Sequence, residues 1–136
     1  MTLQGQYVQK THSGISQDWV GKVEKIETDQ SSVVSLATHQ EMKADEKGLV
    51  HGGFTFSLAD YAAMVAVNDP FVVLLSSQVK FLMPVVVGDR LTAHARITER
   101  EGRKRKVGCE VFNQNEQKVF EGEFLCVVLS NHVLSK

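Results

Sequence analysis

The run from Gly48 to Asn68, GLVHGGFTFSLADYAAMVAVN, constrains the fold more than any other part of the sequence. Gly52-Gly53 opens a helical stretch that continues to about Val67, and Asn68-Asp69-Pro70 supplies a stop. Apolar residues from Phe54 to Val67 occupy every face of that helix. With no polar stripe left for water, it is expected to be buried all round. Its only ionisable groups before Asn68 are Asp60 and the weakly acidic Tyr61. Aspartate has poor propensity for a helix interior, and burying its charge costs several kcal/mol unless it is paired or solvated. Asp60 therefore needs a structural partner or a use.

Around this helix the sequence reads as strands. Asp18–Thr28 and Ser31–His39 flank the turn Thr28-Asp29-Gln30-Ser31, and the second is rich in β-branched and small residues. Met1–Gln17 reads as a loosely ordered polar lead-in, and Gln40–Lys47 as a charged loop. After the helix come Phe71–Met83, closed by Pro84, then Leu91–Thr98, Lys106–Phe112 and Val119–Leu129. Leu91, Ala93, Ala95 and Ile97 alternate with Thr92, His94, Arg96 and Thr98, the period of a strand with one buried face. The order β-β-α-β-β-β-β with short links favours antiparallel neighbours. One apolar helix among about five to six such strands is buried if the sheet curls round it, an α+β arrangement in one domain spanning 1–136.

Composition narrows the class. Hydrophobic residues make up 43% of the 136 and the formal charge is −1, which suits one ordinary domain and argues against non-specific nucleic-acid binding. Asp60 and Asp69 interrupt the most apolar region, so no membrane span is expected. The start, MTLQGQYVQK, lacks the layout of a signal peptide, which makes the cytoplasm the default location. A hairpin turning near Asn113–Glu116 sets Cys109 opposite about residue 120. Cys126 then lies roughly 17–20 Å further along, beyond disulfide reach. Two buried reduced thiols are expected.

The helix start carries unpaired N–H groups and roughly half a positive charge. Gly52-Gly53 can admit a carbonyl oxygen that becomes negative during reaction, or can simply permit a tight turn. Asp60 can be a general base, a nucleophile or an acceptor for nearby donors such as Ser57, three residues earlier on the same face. Gly53 and Asp60 share a face but stand about 10 Å apart along the axis, whereas a carboxylate and its oxyanion donors must both lie about 3 Å from the reacting atoms. If both act on one substrate, they come from two chains whose helices lie antiparallel, as a twofold dimer arranges them.

The segment HGGFTFSLAD, His51 to Asp60, resembles the HGGxxxxLAD signature of hotdog-fold acyl-CoA thioesterases, in the branch of the phenylacetyl-CoA thioesterase-like proteins. The resemblance continues through FLMPVVVGDRLTAHARI, Phe81 to Ile97, and covers roughly Val20 to Leu129. It implies an antiparallel sheet wrapped around one long helix, in a homodimer whose sheets join edge to edge and which can pair into a homotetramer. It also implies an active site at the subunit interface. There the Gly53 amide would polarise the thioester carbonyl, and Asp60 of the other chain would act as base or nucleophile. The substrate would be a coenzyme A thioester, with no separate cofactor and no metal.

The same resemblance points to His51, Gly52, Phe54 and Ser57 as substrate-contacting positions, with His51 expected to hold the turn. Phe54, Phe56 and Met64 can line an acyl pocket or belong to the core. Where the family usually has Asn or Gln, this chain has Asp45, which either converges on the site as a second carboxylate or faces solvent. A serine that some relatives place early in the next strand corresponds to Leu74. The basic run REGRKRK, Arg100 to Lys106, is a solvated turn or a phosphate contact for coenzyme A, with Arg103 and Lys104 as its candidates. The expected activity is thioester hydrolysis. The alternative is a module that binds or senses an acyl-CoA without cleaving it, and a hotdog dehydratase fits less well because the surroundings of His51 do not resemble dehydratase motifs.

Overall fold

The computed structural model describes residues 8–135. Its order is α1 (Gln17–Val20), β1 (Lys22–Glu27), β2 (Ser31–Ala37), a short 3-10 turn (Gln40–Met42), α2 (Gly52–Val67), β3 (Val72–Phe81), β4 (Arg90–Glu101), β5 (Lys104–Phe112) and β6 (Lys118–Val128). The strands form one antiparallel sheet in the order β1-β2-β4-β5-β6-β3, with α2 against its inner face. Among the described residues, no helix is long and apolar enough to cross a membrane.

The alternation expected of β4 is present: Leu91, Ala93, Ala95 and Ile97 are buried against α2, and their neighbours face outward. Phe120, Phe124, Val107 and Val111 complete that side, packed against Leu58, Met64 and the alanines of α2. Met64 is thus a core residue, 1% exposed.

Three expectations change. Asp18–Thr28 is not one strand: Ser16 caps α1 by accepting the Asp18 N–H, and Gly21 then breaks the helix at φ +103. A Cβ on Gly21 would stand 2.6 Å from the Ser35 carbonyl oxygen, so only glycine fits this crossing. The lead-in is not loose where it is described. Residues 1–7 lie outside the described range, but from Val8 to His12 the chain is tied to the far end of α2: Lys10 N–H donates to Asn68 Oδ1 at 2.7 Å, and Gln9 Nε2 to the Tyr61 hydroxyl at 2.9 Å. Finally, Cys109 lies opposite Gly122, two residues from the expected partner: the turn closes from Asn113 to Gln117, which adds one residue, and the register shift between Val111 and Phe112 adds the other. Cys126 pairs with Arg105, and both thiols are free and buried.

Candidate active site

The first turns of α2 are less covered than a helix apolar on every face requires. Gly53 is exposed, and Gly52, Phe54, Phe56, Ser57 and Asp60 are half-buried, whereas the rest of the helix is buried. Gly53, Phe56, Ser57 and Asp60 follow the i, i+3, i+4, i+7 spacing of one face, so the uncovered residues make a strip along the helix. Phe56 leans on Phe124 of β6, ring centroids 5.6 Å apart. On the other flank Phe54 stacks on Trp19 at 5.7 Å, and Trp19 in turn meets His39 at 5.2 Å.

Asp60 lies on this strip with its Oδ1 buried and without a hydrogen-bond partner among the described residues. Ser57, expected as its donor, does not satisfy that oxygen. Burial alone pushes the carboxyl up to about 6, with no second carboxylate contributing. Its neighbour is the Cys126 thiol, pushed up to about 12 by burial and then by the charge of Asp60. That thiol is oriented toward the Phe124 carbonyl at 3.9 Å, leaving the carboxylate bare. Leu74, where the resemblance sets a serine, is the cross-strand partner of Cys126 and offers no hydroxyl here.

Seven residues toward the amino end, the N–H groups of Gly52 and Gly53 find no acceptor among the described residues. A Cβ on Gly52 would stand 3.1 Å from the Phe81 ring, and one on Gly53 would stand 3.0 Å from the His51 imidazole. The glycines therefore let the protein's own rings close over the helix start. His51 holds the turn through its backbone, its N–H donating to Met42 O at 2.9 Å and its carbonyl accepting from Phe54 N–H at 3.0 Å. Its ring makes no capping hydrogen bond and lies edge-on to Phe54.

Asp45 does not converge on Asp60. Its Oδ1 accepts from the N–H groups of Lys47 at 2.9 Å and Leu49 at 3.2 Å, clasping its own exposed loop. The basic run is divided. Arg100 and Arg105 both hold Asp29 of the β1–β2 turn, and Lys106 pairs with Glu99. Arg103 reaches only the Val128 carbonyl at 3.5 Å, and Lys104 has no side-chain partner among the described residues. The Arg103 carbonyl accepts from Val128 N–H, and the next residue, Leu129, bonds Phe71 just after α2, so these two lie toward the carboxyl end of that helix and away from Gly53 of the same chain.

Two features escaped the sequence reading. Trp19 borders the open strip only because α1 turns it there, and a strand pattern gave no sign of that turn. A cleft of about 310 Å³ also opens beside Gly52 and Thr55, walled by Leu49, Phe81, Leu82 and Met83. The apolar run ending at Pro84 was its signal, since those residues overrun the strand and stay exposed. β3 is an edge strand that exposes Phe81 beside this cleft and Leu75 further along.

A model of the thioesterase superfamily matches residues 47–120, more than half of the chain and including the whole of α2. The structure superposes on the Pyrococcus horikoshii protein PH1136 with a TM-score of 0.91 and 52% identity, covering 95% of this chain and 98% of that one. Among curated relatives, methylthioribose-1-phosphate isomerase of Aquifex aeolicus is 54% identical over 120 residues, 88% of this chain but 26% of that protein. Transcription factor FapR of Caldanaerobacter subterraneus is 27% identical over 117 residues, 86% of this chain and 58% of that protein. The chain thus spans a quarter to somewhat over half the length of these two relatives, and their names describe proteins with much else in them. What they share with this chain is a stretch of 120 residues in the first and 117 in the second. On the family match and the hotdog architecture together, the chain belongs to the thioesterase superfamily.

Proposed function

We propose that this chain hydrolyses an acyl-CoA thioester, with each site assembled from two copies. The observation carrying this reading is Asp60, a half-buried carboxylate with one unpartnered oxygen on the open strip of an otherwise apolar helix. A carboxylate with no structural partner is costly to the fold and suited to removing a proton. In the twofold dimer, β3 edges meet and the two α2 helices run antiparallel, so Asp60 of one chain stands beside Gly53 of the other. The dimer covers the apolar side chains at β3 and closes the gap of about 10 Å that separates the two groups in one chain.

Water attacks the thioester carbon while Asp60 takes its proton. The carbonyl electrons move to oxygen, held by the Gly53 N–H at the helix start. Collapse breaks the C–S bond, and the proton returned from Asp60 leaves with sulfur, giving a carboxylic acid and free coenzyme A thiol. A second route has Asp60 attack directly and water cleave the resulting anhydride; both need the ionised carboxylate. The antiparallel arrangement also brings Arg103 and Lys104 toward the site containing Asp60 of their own chain, where the carrier's phosphates would lie. Phe54, His51 and Gly52 would flank the carbonyl, and Ser57 lies between the two reacting groups along the strip. Two free buried thiols suit the cytoplasm.

Asp60→Asn keeps side-chain size and should lower kcat by about a thousandfold without changing the fold, read as thiol released from a panel of acyl-CoAs. For the unaltered protein, kcat/KM rises with pH through about 6 and then levels, because the base must be ionised. Near-full turnover in Asp60→Asn, or a flat profile from pH 4 to 8, would sink the role of Asp60. The similarity to FapR favours one other reading, a ligand-sensing module. Tight acyl-CoA binding with no thiol released by the unaltered protein would select it.

A further inference from the structure

The cleft of about 310 Å³ beside the start of α2 has walls held in place by backbone hydrogen bonds. On one side Leu82 and Met83 N–H both donate to Val119 O, at 2.8 and 3.3 Å, which fixes the chain just past β3. On the other, Val50 N–H donates to Val85 O at 2.8 Å and Leu49 bridges Val86, which fixes the segment leading into α2. Thr55, Val85 and Val119 make a buried floor. Leu49, Phe81, Leu82 and Met83 make an exposed rim, and no charged residue among those described lines the cleft. Its size lies at the lower end of the range of about 300–1,000 Å³ usual for small-molecule sites.

Phe81 limits the space. Its ring stands edge-on to Phe120, centroids 5.2 Å apart, and so close over Gly52 that a Cβ there would stand 3.1 Å away. Gly52 and Thr55, three residues apart, share one face of α2, and Gly53 lies about 100° round the helix from Gly52. The cleft therefore opens directly beside the amide that faces the open strip. Phe54, Phe56 and Met64, the residues that the sequence offered for an acyl pocket, do not border it.

We infer, resting on the thioesterase reading that sets the reacting carbonyl at Gly53, that this cleft selects an uncharged acyl chain of medium length and that Phe81 is the residue limiting it. A space of this volume holds roughly ten water-sized groups, which with imperfect filling suits a chain of about six to ten carbons. A longer chain runs past the rim into water and buries nothing more. A chain ending in a carboxylate or an amine loses its hydration and finds no partner in the walls.

Thiol release from straight-chain acyl-CoAs, acetyl to palmitoyl, tests this on the full chain. kcat/KM should rise about fourfold for each methylene buried and level off at about eight carbons. Succinyl-CoA should fall below butyryl-CoA, its neutral counterpart in length. Phe81→Ala should move the optimum to longer chains and Leu82→Trp to shorter ones; both side chains are exposed, so the fold should survive either change. A move by either variant in its stated direction supports the assignment. No move in both, or an unaltered profile that is flat or still rising at palmitoyl, overturns it. Calorimetry on Asp60→Asn separates the two readings, because its affinity for the same thioesters should climb to the same limit without turnover. Thiol release without that dependence keeps the hydrolase and removes the cleft; the dependence without thiol release from the unaltered protein does the reverse.

Discussion

The two ends of α2 are built on opposite principles. At the carboxyl end the capping side chain is fully engaged. Asn68 is 1% exposed and caps the helix at φ +53, its own N–H bonding Met64 O. Its side chain donates to Val8 O at 2.8 Å and Thr28 Oγ1 at 3.0 Å and accepts from Lys10 N–H. Ser32 Oγ donates to Ala62 O at 2.6 Å just inside. At the amino end, among the described residues, the cap residue His51 offers no side-chain bond, the Gly52 and Gly53 N–H groups find no acceptor, and apolar side chains are exposed. One end closes the fold; the other is left for something outside the single chain to complete.

The largest effect that sharpens this contrast is Asn68→Ala. It removes three buried hydrogen bonds and a side chain that tolerates the left-handed region, and should cost about 3 kcal/mol or more in denaturant unfolding. Asn68→Gly should recover the backbone part alone. Neither should change kcat per folded molecule, and a large kcat loss would show that the carboxyl end is not merely structural. Next comes Gly53→Ala. Its methyl group meets only the exposed His51 ring, which can swing away, so stability should change by less than about 1 kcal/mol. With a methyl and a displaced ring over the amide, kcat should fall about tenfold, and His51→Ala in the same chain should recover part of it.

The smallest effect is on stability against pH. The folded carboxyl of Asp60 titrates at about 6 and the unfolded one near the ordinary value of 3.8, so the folded state holds more protons between these limits. Stability contributed by this group is therefore full below about pH 4 and falls as pH rises toward 6. Asp60→Asn should be more stable than the unaltered chain by about 1–2 kcal/mol at pH 8, after allowance for partial exposure, and the advantage should vanish near pH 4. Equal stability at both pH values would mean that the carboxylate finds a partner in solution.

Much of the closed end was legible in the sequence. The stop at Asn68-Asp69-Pro70, the alternation of Leu91–Ile97 and the succession of elements along the chain rest on local rules of period and turn chemistry, and these hold; the expectation that short links join neighbours fails at β3 and β4, which lie apart in the sheet because β3 crosses to pair with β6. Burial of α2 was legible from Leu58 onward but not at Phe54 and Phe56, because composition cannot say which neighbour is missing. α1 was hidden because it is only four residues long and runs straight into β1, while the Gly21 constraint comes from Ser35, fourteen residues away. The candidate site was legible as a pair, Gly53 and Asp60, since helix rise alone sets their separation. Its surroundings, Trp19, the Phe81–Met83 cleft and the bare Oδ1 beside Cys126, depend on tertiary packing and carry no short motif.

β3 ends the sheet with the outer side of its backbone joined to no further strand of the described residues and with Leu75 and Phe81 more than half exposed. Such a rim will zip onto any extended segment it encounters, so a newly made polypeptide is exposed to misassociation until its twin arrives. In the proposed pair, finishing the fold and finding the mate become one event, and thermal resistance should track how crowded the solution is with identical molecules.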